Sequence, residues 1–188
     1  METYQCYHGT SADAARAIVA QQRFIASTED TEWAGHGIYF FIGSVDNRSA
    51  YLNAYNWAKF IRRKTSPTVL TSTVTIDSAD ILDLRDEGYL ADFHEARLEI
   101  FNSAKQRAKD QGIEIDPSYL KKQWLDCFTI NQMCQLYDPP MSAVITNVYI
   151  NFHKNINYPV SQYPNCTILC VRNEGLISNT VIASNKLR

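Results

Sequence analysis

The sequence predicts a mixed α+β domain, with its strands gathered into a mixed or antiparallel, split sheet and helices on the flanks. Three observations carry this. The elements run strand, helix, strand, helix, then a long strand, two helices and late strands, which is not the strict alternation of a doubly wound parallel fold. Residues 68–76, TVLTSTVTI, are rich in the β-branched side chains that favour extended backbone. The 188 residues are 45% apolar and 20% charged, which suits one domain over residues 1–188 whose interior needs no disulfide or metal staple.

Each element has its own local reason. Residues 3–8 read as a strand ending in His8-Gly9-Thr10. Ser11 is placed to cap a helix running to Gln22, with Asp13 in its first turn and Ala15, Ile18 and Val19 on one stripe. A polar connection over 24–37 holds Trp33, and residues 37–41 form the next strand. Asp46 or Asn47 caps a second helix to Lys64, whose inner face is Ala50, Ala54, Trp57, Ala58 and Ile61. After the long strand, residues 81–84 are extended. A helical insertion follows over about 89–136: one helix to Gln111, ended by Gly112, and another from Pro117 to Leu136. Asp138-Pro139-Pro140 breaks that helix. Residues 141–152 and 166–171 read as strands, with 180–183 as an edge piece.

Composition narrows the function classes. Eighteen basic against 20 acidic residues leave a net charge of −2, so the chain as a whole is no polyanion binder. No run of 18 apolar residues exists, so no membrane span and no membrane partner is expected. Five widely spaced cysteines, with no CxxC pair, read as buried free thiols. Together with the lack of a secretory signal at the N-terminus they predict a reducing, cytoplasmic setting and no metal site. Glycine-rich phosphate loops, HExxH and GxSxG are all absent.

The chemical signal lies in the first 60 residues. Tyr7-His8-Gly9-Thr10 puts an imidazole at a strand end, followed by a glycine that lets a flat ligand approach the backbone. Gly35-His36-Gly37-Ile38-Tyr39-Phe40-Phe41 opens a strand with two glycines and three aromatics. Ser49-Ala50-Tyr51 starts a helix, with Tyr55 and Trp57 further along. Lys59, Arg62, Arg63 and Lys64 cluster at the end of that helix, where cations complement the helix dipole or offer a landing patch for a nucleic acid.

In order, these pieces resemble the His-Tyr-Glu, poly-ADP-ribose polymerase-like branch of the ADP-ribosyltransferase fold, which includes bacterial toxins that modify DNA. The resemblance covers about the first third of the chain. It implies NAD as co-substrate, with His8, Tyr39 and Tyr51 as the catalytic set. It implies that His8 bonds the adenosine ribose, that Gly9 presents its backbone to the nicotinamide carboxamide, and that Thr10 lies by the ribose or pyrophosphate. Tyr39 and Tyr51 would sandwich the nicotinamide, with Ser49 reaching the carboxamide and Tyr55 competing for the second stacking position. The family's late-strand glutamate is missing: the matching positions carry Cys166 and Thr167, and Glu95 or Glu99 is the substitute the sequence offers.

The expectation is therefore an NAD-dependent mono-ADP-ribosyltransferase, an intracellular toxin or phage-defence effector acting on RNA, DNA or protein, with a neutralising antitoxin protein as a further partner. The alternative is an inactive NAD-, ADP-ribose- or partner-binding module of the same fold. The reading leans on His8 and Tyr39 jointly lining one cleft, and side chains on opposite faces of the sheet, or either packed into solid interior with no opening nearby, would overturn the enzymatic account.

Overall fold

A computed structural model describes residues 1–44, 49–113, 122–152 and 163–184. Seven strands form one mixed sheet: β1 (Glu2–Ser11), β2 (Ile38–Ser44), β3 (Pro67–Ile76), β4 (Ile81–Asp83), β5 (Ala143–Val148), β6 (Cys166–Val171) and β7 (Ile177–Ile182). Their spatial order is β4-β5-β6-β2-β1-β3-β7. β4 and β5 run parallel, and the other pairs run antiparallel. The helices are α1 (Ala12–Gln21), α2 (Ala50–Asn56), α3 (Glu87–Asp110) and α4 (Lys122–Leu136). The α+β expectation with a mixed sheet therefore holds.

Two apolar layers cover the sheet. One joins Phe41, Ala54, Leu82, Phe93, Ile130 and Ile168, so α2, α3 and α4 share it. The other joins Cys6, Ala15, Phe24, Phe40, Leu70 and Leu169, and α1 closes it. β6 lies between the layers, and all six of its residues are buried. A strand covered on both faces reads as a continuous apolar run, which is why CTILCV shows no alternation.

Local chemistry sets most boundaries. Ser11 Oγ accepts from the Ala14 N–H at 3.3 Å and caps α1, and Gln22 ends it in a left-handed turn at φ 50°. Asp86 caps α3, whose first residue, Glu87, lies two before the expected start at about 89. The second helix is shorter than expected. Ser49 Oγ accepts from Leu52 N at 3.2 Å, so regular helix begins at Ala50. The caps expected at Asp46 or Asn47, and the helix start at Pro117, lie outside the described residues. Past Asn56 the coil widens into a π-helical turn, Trp57–Ile61, and Arg63 then takes a left-handed φ of 49°. The five cysteines are free and buried. Among the described residues, no helix is long and apolar enough to cross a membrane, and no group of three His, Cys, Asp or Glu side chains is gathered to hold a metal.

Candidate functional site

The site arises from incomplete pairing between neighbouring strands. β1 is in register with β3 along its whole length, from Glu2↔Ile76 to Ser11↔Pro67. β2 is likewise bound to β6, from Ile38↔Val171 to Ser44↔Cys166. Between β1 and β2 the register is a single pair, Tyr7↔Phe41. Beyond it the strands part, and the position where a ladder would continue holds a side-chain bond instead: His8 Nδ1 lies 2.9 Å from the carbonyl oxygen of Tyr39. A carbonyl only accepts, so Nδ1 carries the proton and Nε2 is the acceptor of the neutral ring.

A cavity of about 590 Å³ occupies this fork, within the size range of small-molecule sites. His8, Gly9 and Thr10 form one lip, and Tyr39, Phe40 and Phe41 form the other. The 22–37 connection makes a wall. Ser27 N donates to Gly37 O at 2.8 Å and Gly37 N to Ser27 O at 3.0 Å, which ties this connection to the start of β2.

His8 and Tyr39 meet the expectation of one cavity but leave the sheet on opposite faces, the arrangement named above as overturning the enzymatic account. The His8 ring packs edge-on against Phe24 at 5.4 Å and Phe40 at 5.9 Å, in the α1 layer. Tyr39 packs against the layer of α2 and α4. Its hydroxyl donates to Gly35 O at 2.5 Å and accepts from Ala34 N at 2.9 Å. Both bonding directions are therefore spent on the connection. Burial, aided by the nearby Cys170 and Glu32, pushes its ionisation far above the usual phenol range. Burial also holds the His8 imidazole below its usual 6.5; the Tyr39 carbonyl opposes this and the Arg62 charge adds to it. Tyr39 is a neutral hydrogen-bonding strut and His8 a neutral imidazole.

Gly9 has a structural explanation. A Cβ there would fall 1.9 Å from the Ala54 carbonyl oxygen, because α2 crosses β1 at this point. Gly35, at φ 74°, is pressed against α4, and a Cβ would sit 2.6 Å from Asn131 Oδ1. Ser49 and Tyr51 do not line the cavity. Ser49 serves as the cap of α2, and Tyr51 packs edge-on against Tyr7 at 6.2 Å. Tyr55 is absent from the lining as well, and Lys59 lies 5.6 Å over its ring.

The cavity gathers residues the sequence reading had assigned elsewhere. Trp57, read as inner helix face, lines it together with Trp33, and their rings meet edge-on at 5.3 Å. Arg62 and Lys64 of the basic cluster reach it. Glu29 and Glu32 of the connection supply its carboxylates; Glu95 and Glu99 do not line it. Glu32 Oε1 accepts from Ser27 Oγ at 2.6 Å. A loop carrying three acids (Glu29, Asp30 and Glu32) and a tryptophan between a helix and a strand was the available signal, since functional side chains concentrate on such connections. At the start of β6, Thr167 Oγ1 donates to Asn147 Oδ1 at 2.8 Å, and Cys166 is buried. The sequence matches no family model and no characterised protein, so the function rests on this geometry.

Proposed function

We propose that this protein is an NAD-dependent mono-ADP-ribosyltransferase with a split-sheet fold of the poly-ADP-ribose polymerase-like type. One observation carries the reading: β1 and β2 part over a cavity that has His8-Gly9-Thr10 on one lip and Tyr39 on the other. Arg62 and Lys64 suit a pyrophosphate, as cations at a site closed by protein on several sides. The neutral His8 offers Nε2 to a ribose hydroxyl. Trp33 and Trp57 offer aromatic surface for a flat ring, the role expected of Tyr51.

The chemistry follows from these groups. The bond between the nicotinamide nitrogen and the anomeric carbon breaks, and its electron pair leaves with the nicotinamide, whose ring becomes neutral. The acceptor nucleophile bonds to the anomeric carbon and its proton passes to solvent water. Positive charge builds on the ribose in between, and the carboxylates of Glu29 and Glu32 lie in the same cavity to stabilise it. Mono-transfer rather than chain elongation fits the Cys166-Thr167 start of β6, which has no acid to polarise a second sugar. Five buried thiols suit a reducing cytoplasm, and the size suits an effector that acts inside the cell that makes it, held in check by a partner protein.

The test is incubation with labelled NAD and separate RNA, DNA and protein fractions. Label in one fraction with matching nicotinamide release is expected, and His8→Ala removes both while the fold still melts cooperatively. No release by the wild-type protein with any acceptor would reject the enzyme. A binding module without turnover is the second reading. It is favoured by the opposite-face placement of His8 and Tyr39 and by the full commitment of the Tyr39 hydroxyl. Saturable NAD binding without nicotinamide release would establish it.

A further inference from the structure

We propose that a second cavity, where β2, β5 and β6 end side by side, binds the phosphate group of a small phosphate monoester, with Arg172 as the residue that holds the anion. The inference does not rest on the NAD reading. This cavity measures about 390 Å³ and shares a stretch of wall with the first, since Ala26, Ser27, Thr28 and Gly37 line both. Arg172 directly follows β6 and is tied to the strand ends on either side of it. Its backbone N–H donates to Ser142 O at 2.8 Å, just before β5. Its Nη1 donates to His36 O at 3.1 Å, just ahead of β2, and to Oδ1 of the buried Asn131 of α4 at 2.7 Å. These contacts hold the guanidinium in one place.

Its charge has no counter-ion among the described residues. None of their carboxylates lies within ion-pair reach of Arg172, and no Asp or Glu lines the cavity. Asp30 lies 3.4 Å from His36 Nε2 and is not part of the lining. Arg172 is half-buried, and a cation partly withdrawn from water without a partner favours an anion beside it. The N–H groups of Nε and Nη2 carry no bond among the described residues, and neither do the hydroxyls of Ser142 and Thr28. Asn173 spends its Oδ1 on Gly175 N at 3.0 Å, which leaves its amide N–H groups as donors. A guanidinium fork beside two hydroxyls and an amide matches the three outer oxygens of a phosphate ester, whereas a carboxylate has fewer acceptors to offer. The volume is that of a small-molecule site, and Pro140 and Met141 give an apolar side for the body of the ester.

Titration calorimetry with ribose 5-phosphate, inorganic phosphate and ribose, on the wild type, R172Q, the double variant T28V/S142A and K109Q, tests this. The wild type is expected to bind ribose 5-phosphate saturably, about tenfold or more tightly than inorganic phosphate, and ribose not at all. R172Q weakens that binding about tenfold or more. T28V/S142A leaves the bonds of Arg172 to Asn131, His36 O and Ser142 O in place and weakens it about threefold or more, so it decides alone should R172Q lose its cooperative melt. K109Q, exposed on α3, keeps the wild-type affinity. Excess NAD leaves the affinity for ribose 5-phosphate unchanged; displacement by NAD would put the phosphate in the first cavity and overturn the proposal. So would the absence of saturable binding, or wild-type affinity in T28V/S142A. Equal affinity for inorganic phosphate and ribose 5-phosphate overturns the ester as the ligand.

Discussion

Replacing Gly9 by alanine separates two explanations for the His-Gly-Thr strand end. The added methyl carbon would lie 1.9 Å from the carbonyl oxygen of Ala54 and 2.7 Å from its carbonyl carbon. Carbon–oxygen contacts of this kind settle at about 3.3–3.6 Å, so strand and helix must separate by roughly 1.4 Å. Neither side can yield easily. β1 is locked to β3 from end to end, and Ala54 is fully buried in the apolar layer beneath. Overpacking of this sort costs about 1–3 kcal/mol, and clash with main chain on both sides puts Gly9→Ala near the upper limit. A loss of about 3 kcal/mol corresponds to a fall in Tm of about 6–12 °C for a domain of this size. The matched control is Gly43→Ala, where the new carbon would meet only Thr167 atoms, at 3.5 Å. Its Tm should stay level or rise slightly, as an alanine in compatible backbone restricts the unfolded chain. Thermal unfolding followed by circular dichroism decides the matter. A Gly9→Ala protein that melts with the wild type but no longer binds NAD would refute the packing argument. It would return Gly9 to the role of a backbone presented to the ligand.

Three further outcomes follow from the site. Because burial depresses the His8 imidazole below 6.5, the unfolded chain binds more protons than the folded one between that depressed value and 6.5. Stability should therefore fall as pH drops through 6.5, and urea midpoints of His8→Gln should fall less steeply over that window; an equal slope would remove His8 from the account. Tyr39→Phe removes the bond to Gly35 O and the acceptor for Ala34 N, with a cost of about 1–3 kcal/mol in chemical denaturation; a change near zero would mean the connection does not depend on that hydroxyl. All five cysteines are buried, and burial pushes the Cys6 and Cys170 thiols up to about 12 and Cys134 to about 11. A thiol reagent should label none of them in the native protein and all five in urea; rapid labelling of one under native conditions would contradict its placement.

Particular residues show how far sequence reading reached. Strand 166–171 coincided with β6, and Ser11 capped α1 as expected, because apolar runs and cap chemistry act over neighbouring positions. The late edge strand began three residues earlier than expected, at Ile177, since its pairing is decided by β3. Ser49 was read as a ligand contact and acts as a helix cap; a hydroxyl before a helix serves both purposes equally well in sequence. Trp57 packs against the core layer as its helical spacing predicted and lines the cavity as well, which spacing does not show because it says which face a residue shares and not all that the face meets. Glu29 and Glu32 of the 22–37 connection carry no periodic pattern, and only the folding of that segment against β2 brings them into the cavity that His8 lines.

From the chain alone came the α+β class, the buried thiols and a strand end bearing His8-Gly9-Thr10, since composition, periodicity and capping are local properties. The tertiary structure alone decided that β1 and β2 meet at one pair and then diverge. It also decided that His8 and Tyr39 reach one cavity from opposite faces, and that Trp33, Trp57, Glu32 and Arg62 converge there. The reason is physical: each lip is held by its outer neighbour, β3 or β6, and a gap between strands depends on pairings dozens of residues away that no local pattern records.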